Sequence, residues 1–213
     1  MTLPDSTSKN PAFHTFGEIL PSSVPETATK RWSLTAQIFH WVSAALVFSL
    51  FALGMYAAFV LDFQNPAELP LWATLMYHHK TLGMILLLVM PARLGWALAH
   101  KRPPLPEGLG SGQRVLLKSG HRTLYTLLFA VPLTGLFTAF YFGSDNRVFG
   151  LFSFPSPLAK NDYLWPKFML AHQILAYSML ALVAGHIAAA LWHHFVRRDG
   201  MLKAMVPGTE ETK

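Results

Sequence analysis

Residues 172–194 read HQILAYSMLALVAGHIAAALWHH, an apolar run that holds His172 and His186 and closes on the doublet His193 and His194. An ionisable ring inside hydrocarbon is costly, so its presence there asks for a ligand or a partner. His186 follows His172 by 14 positions. At 100° per residue, a helix leaves the two rings within about 40° of one face and about 21 Å apart along the axis. No single ion bridges that gap. Two separate sites are required, one near each membrane surface.

The rest of the chain supports a membrane setting. Its 213 residues are 52% hydrophobic and 13% charged, and mean hydropathy is positive. That is too apolar for an ordinary soluble domain. Four runs, 34–60, 78–99, 121–142 and 168–195, reach the length of about 20 residues that a spanning helix needs. The expected fold class is all-α, a transmembrane four-helix bundle. Ser33 suits an N-cap for the first helix. Pro91 and Pro132 lie inside the second and third runs, where membrane helices tolerate proline. Residues 1–30 are polar, rich in Pro, Ser and Thr, and lack the apolar region of a cleavable signal. They read as a disordered tail carrying His14. Residues 31–206 form the expected membrane domain, and 207–213 a short C-terminal tail.

Charge and cysteine content narrow the chemistry. The net charge is +6, but the basic residues cluster beside apolar runs rather than in a stripe interleaved with aromatics. This favours membrane orientation and argues against nucleic acid. Lys9, Lys30, Arg31, Lys101, Arg102, Arg114, Lys118, Arg122, Arg197, Arg198, Lys203 and Lys213 fall on the side of both termini, with Arg93 nearby. Only Lys80, Arg147, Lys160 and Lys167 fall on the other. The expectation is an inner-membrane protein of four spans with both termini cytoplasmic and loops 61–77 and 143–167 outside. Trp72 and Trp165 suit interfacial anchors. The chain has no cysteine, which excludes disulfides, thiolate catalysis, Cys-ligated clusters and covalent haem attachment through C-x-x-C-H.

Each histidine site needs a partner at its own depth. His40 lies early in the first helix and His186 late in the fourth, both toward the cytoplasm. His79 opens the second helix and His172 the fourth, both toward the outside. Two bis-histidine pairs stacked in a helical bundle are how two b-type haems are held. Gly54 follows His40 by 14 positions, and Arg93 follows His79 by 14. Gly54 either lets a porphyrin plane approach the backbone or packs helices. Arg93 either meets a haem propionate at the inner site or snorkels to the interface. Gly135 follows His121 at the same interval. His78 neighbours His79 but points about 100° away, and is the competing ligand. His121 opens the third helix at the boundary, facing the interface, a propionate or a quinone. His193, His194, Arg197 and Arg198 read as a basic lipid-facing end, and His100 as loop. No catalytic residue is assigned.

The motifs FHW at 39–41, HHKTLG at 78–83, HRTLYTLLFAVPLTG at 121–135, and the H-x13-H pair followed by HHFVRRDG at 193–200 together resemble the bacterial cytochrome b561 family. The resemblance covers roughly residues 30–206. It implies a four-helix cytochrome that carries electrons between a donor and a quinone through two b haems. His40, His79, His172 and His186 are the axial iron ligands it implies. It extends to members that oxidise superoxide outside and reduce ubiquinone, so a superoxide:ubiquinone oxidoreductase is one expectation. Lys80, Arg147, Lys160 and Lys167 would then attract the anion, or are ordinary surface charges. Two other readings stand beside it. One is a non-enzymatic electron-transfer cytochrome b subunit of a dehydrogenase or hydrogenase, with a redox protein as donor. The other is a metal-ion or proton transporter, its path lined by histidines.

Overall fold

The computed structural model describes residues 31–105, 108–144, 146–148 and 152–208. The expected tail 1–30, with His14, lies outside them, as do residues 209–213. Four helices run α1 Leu34–Phe59, α2 Leu69–Ala99, α3 Ser111–Phe142 and α4 Trp165–Trp192. Each is long and apolar enough to cross a membrane. The bundle is all-α apart from a two-stranded antiparallel hairpin between α3 and α4, β1 Asn146–Val148 and β2 Phe152–Phe154.

Local chemistry sets the helix ends. The Ser33 hydroxyl accepts from the Ala36 N–H and opens α1. The start of α2 carries Pro70, whose missing N–H costs nothing in a first turn. Before α4, the Asn161 side-chain carbonyl accepts from the Tyr163 and Leu164 N–H groups. α3 stops at Gly143, where φ is 76°, a left-handed turn open to glycine. There the Gly143 N–H reaches the Phe140 carbonyl and the Ser144 N–H the Ala139 carbonyl.

Two helices start earlier than hydropathy predicts, α2 at Leu69 rather than 78 and α3 at Ser111 rather than 121. At α3 the extra residues, SGQRVLLKSG, are largely polar turns that hydropathy passes over although their backbone bonds continue; at α2 they are apolar, LPLWATLMY, and Pro70 in the first turn is what makes them read as a connector. α4 gives way to a π-helical turn, His193–Arg197, and then to a 3-10 turn at Lys203–Met205.

α1 packs on α2, α2 on α3 and α3 on α4, while the α1 and α4 backbones approach less closely. The core includes Val47, Leu86, Met90, Leu127, Leu128, Val131 and Met179. Four of these have a simple origin in the sequence. Val47 stands midway between His40 and Gly54, Leu86 between His79 and Arg93, Leu128 between His121 and Gly135, and Met179 between His172 and His186. Seven residues are nearly two turns, so each helix contributes one apolar side chain about 10 Å from either histidine level. Together they form a buried layer that separates the two ends of the bundle.

The end bearing the termini is closed by the chain itself. Residues 199–206 fold back across the start of α1. The Trp32 N–H and the Gln37 side-chain amide both donate to the Ala204 carbonyl, and the Trp41 indole donates to the Met205 carbonyl at 2.8 Å. The Arg31 guanidinium donates to the Val206 carbonyl. Gln37 is 3% exposed, so this strap gives its buried amide the partner that burial demands.

Candidate functional site

At the end carrying the hairpin, His79 from α2 faces His172 from α4, with ring centroids 6.1 Å apart. At the end carrying the termini, His40 from α1 faces His186 from α4 at 6.3 Å. A first-row metal binds an imidazole nitrogen at about 2 Å. Two rings on opposite sides of one metal therefore have centroids about 6 Å apart, so both pairs are spaced for that arrangement. Among the described residues no group of three or more His, Cys, Asp or Glu could hold a bare metal ion. Two trans imidazoles are too few for a closed protein site. They are the number that a porphyrin iron leaves to the protein at its axial positions.

The hairpin-end pair has a second layer of support. The His79 Nδ1–H donates to the Leu50 carbonyl at 3.0 Å, and the His172 Nδ1–H to the Val131 carbonyl at 2.9 Å. A carbonyl only accepts, so Nδ1 carries the proton on both rings and Nε2 keeps its lone pair. Each carbonyl lies four residues before a glycine, Gly54 and Gly135. A Cβ on Gly54 would stand 3.1 Å from His79 Cε1, and one on Gly135 3.0 Å from His172 Cε1. The glycines open notches through which the rings reach helix backbone. What fills the notch at Gly54 is thus an imidazole. The same device on α3 makes Gly135 and the Val131 carbonyl part of the site. The matching glycine spacings on α1 and α3 were its sequence signal. Thr134 lies beside it, its hydroxyl 3.4 Å from His172 Nδ1.

The termini-end pair is built differently. Arg93 Nη2 lies 3.3 Å from His40 Nδ1, and the guanidinium also sits 5.2 Å from the centroid of the Tyr125 ring. Guanidinium only donates, so here Nδ1 accepts, the opposite tautomer. His121 packs edge-on against His186, centroids 5.4 Å apart, and donates to the Leu117 carbonyl in its own helix. Three residues beyond Arg93, the Trp96 indole nitrogen is buried with no hydrogen-bond partner among the described residues. A cation and an orphaned donor on one helix, at the depth of a histidine pair, suit an anionic group such as a haem carboxylate.

The remaining candidates lie apart. His78 is exposed on the other side of α2, ring to ring with Tyr77. His193 pairs with Asp199, and Arg197 reaches Asp199, the Gly108 carbonyl and Gln113, so the basic end is tied to the strap and the α2–α3 loop. His100 stacks on Trp96. Lys160 pairs with Asp162 at 3.1 Å, and Lys167 Nζ lies 3.4 Å from the centroid of the Tyr163 ring. Lys160 and Lys167 are therefore engaged locally.

Four spanning helices with imidazole pairs facing across their core fit a membrane cytochrome of the b type. The model of the prokaryotic cytochrome b561 family matches residues 31–208, and the chain belongs to that family. It is similar to cytochrome b561 homolog 2 of Escherichia coli K12, 31% identical over 83% of this chain and 92% of that protein. It is also similar to a probable superoxide oxidase of Yersinia pestis, 27% identical over 84% of this chain and 97% of that one. Cytochrome b561 homolog 1 of E. coli K12 is 25% identical over 83% and 97%. Family membership makes the protein a membrane electron-transfer protein that binds haem b.

Proposed function

We propose that the protein is an inner-membrane cytochrome holding two b haems. His40 and His186 would be the axial ligands of one, and His79 and His172 of the other. The observation that carries this reading is the pair of imidazole–imidazole spacings, 6.3 and 6.1 Å, on either side of an apolar layer. The haems supply one-electron redox chemistry at two depths of the bilayer. The chain supplies ligand orientation, charge and exclusion of water. The Leu50 and Val131 carbonyls fix the tautomer and plane of His79 and His172 and make both rings more basic. Ligation of His40 through Nε2 would move its proton to Nδ1, the reverse of the tautomer that accepts from Arg93, and would free Arg93 to meet a propionate, with Trp96 as a second donor. Val47, Leu86, Leu128 and Met179 keep water and ions out of the space between the sites.

Residues 31–206 are the membrane domain in this reading, with both termini cytoplasmic on the count of lysine and arginine. A reporter active only outside the cytoplasm, fused to the C-terminus, should be inactive; activity there would reverse the orientation.

The donor we propose is superoxide at the outer surface and the acceptor is ubiquinone. The net reaction is two superoxide, one ubiquinone and two protons giving two dioxygen and one ubiquinol. Support comes from the similarity to a probable superoxide oxidase. With His40, His79, His172 and His186 holding the irons, the chain would leave no ligand position for donor or acceptor, and the haems would supply electron transfer through their exposed periphery. The test is to expose purified, oxidised protein to a steady source of superoxide and then add a short-chain ubiquinone. Reduction of the b haems followed by reoxidation is expected. No reduction by superoxide, together with stable co-purification of a soluble redox protein, would instead make the chain the electron-transfer subunit of that partner.

A further inference from the structure

α3 begins at Ser111, ten residues ahead of its apolar run, and the added turns read SGQRVLLKSG. Its 32 residues span about 48 Å, against about 30 Å of hydrocarbon. Counting about 20 residues back from Phe142 puts the hydrocarbon edge close to Arg122, with Lys118 about 6 Å beyond it. The headgroup layer is about 5–8 Å deep, so both side chains lie at the level of lipid phosphate.

Lys118 and Arg122 are four residues apart, which sets them on one face of α3. Both are exposed. Tyr125 follows Lys118 by seven positions and meets Arg93 of α2, so this face borders the α2–α3 seam. Like charges at this spacing repel, and no described residue offsets them. Among the described residues, the end bearing the termini carries one carboxylate, Asp199, which His193 and Arg197 hold. Arg31, Arg114 and Arg198 donate to main-chain carbonyls. The side chains of Lys118 and Arg122 make neither kind of contact with a described residue.

Apolar surface stands beside the pair. Val115 is 67% exposed and Leu116 73%. On the membrane side, Phe129 and Leu133 follow Arg122 by 7 and 11 positions and share its face. Exposed valine and leucine around two cations suit the boundary between headgroups and acyl chains rather than water.

We infer that the α3 face at Lys118 and Arg122 binds the phosphate of an anionic phospholipid, with an acyl chain running along Phe129 and Leu133. A phosphodiester between two cations about 6 Å apart along the helix supplies the missing counter-charge. A soluble acidic protein fits worse, because Arg122 sits at the hydrocarbon edge, beneath the headgroups. The site depends neither on the electron donor or acceptor nor on which way this end faces.

Native mass spectrometry of the full haem-loaded chain in detergent, titrated with phosphatidylglycerol or with phosphatidylcholine of the same acyl chains, tests it. Wild type should bind phosphatidylglycerol more tightly. Lys118→Gln/Arg122→Gln should weaken that lipid about thirtyfold, about fivefold for each charge, and leave phosphatidylcholine unchanged. Lys118→Gln alone, about fivefold weaker, carries the same test if the double variant is unstable. The swap Lys118→Arg/Arg122→Lys keeps both charges and should bind as wild type does, which separates lost charge from lost fold. Lys160→Gln/Lys167→Gln removes the same charge at the hairpin end and should leave the affinity unchanged. Unchanged affinity in the neutral variants, an equal loss in the hairpin-end variant, or equal binding of the two lipids would overturn the site. So would displacement of the lipid by millimolar inorganic phosphate, which would make it a site for the free anion.

Discussion

Substituting Gly135 by alanine tests the notch on which the hairpin-end site depends. The new Cβ would lie 3.0 Å from His172 Cε1 and 3.1 Å from Nδ1, against a comfortable contact of about 3.5 Å. The ring must retreat by about 0.5 Å. Its 2.9 Å bond to the Val131 carbonyl then stretches to the edge of hydrogen-bonding distance. Losing that bond costs about 1 kcal/mol. Alanine in a helix gains about as much over glycine, so folding stability should barely change. Haem retention should change, because second-shell partners of ligating histidines are worth about 10–100-fold in affinity. The assay is haem content per chain and the rate of haem transfer to apomyoglobin, with a thermal melt as control. We expect Gly135→Ala to release one haem faster and keep the other. Gly185→Ala, adjacent to His186 but with nothing within 4 Å of its Cβ, should keep both. Unchanged release from Gly135→Ala would refute the notch argument.

Three further outcomes follow from the same geometry. His40→Ala and His186→Ala should remove the same haem by redox titration, and His79→Ala and His172→Ala the other; loss of a haem from His78→Ala but not His79→Ala would move the α2 ligand. Arg93→Gln removes a positive charge beside His40 and should lower the potential of that haem alone by some tens of mV, on the order of 1 kcal/mol for one electron at an effective dielectric near 20; an equal shift in both haems would contradict its placement. Ending the chain after Arg198 removes the Ala204, Met205 and Val206 carbonyls that satisfy Trp32, Gln37, Trp41 and Arg31. It should cost about 2–4 kcal/mol in a melt, with no loss of haem from the His79–His172 pair; an unchanged melt would show that the strap is dispensable.

The four spans and the all-α class were legible because hydrocarbon imposes a length and a composition that few other settings share. The depth pairing of histidines was legible because 14 residues are close to four whole turns, and His40 does face His186, as His79 does His172. The same arithmetic halved gives the apolar layer at Val47, Leu86, Leu128 and Met179, a signal present in the sequence at seven-residue spacing. Other features leave no such trace. The seats of His79 and His172 are backbone carbonyls, which every residue has. The strap over Gln37 also bonds through main-chain oxygens, so Ala204 and Met205 carry no side-chain mark of their role. The early start of α3 lies where polarity hides helix, that of α2 behind Pro70, which reads as a connector, and the hairpin is too short for its alternation to register.

Two imidazole-clamped b haems in one chain are the central claim. Protein purified from haem-supplemented cells, assayed for haem and chain concentration and examined by absorption and low-temperature electron paramagnetic resonance, measures this directly. A reduced b-type spectrum, about two haems per chain and low-spin signals from two bis-imidazole irons are expected. A folded protein that stays colourless with haem available, or one whose iron is held by anything other than paired histidines, would contradict it.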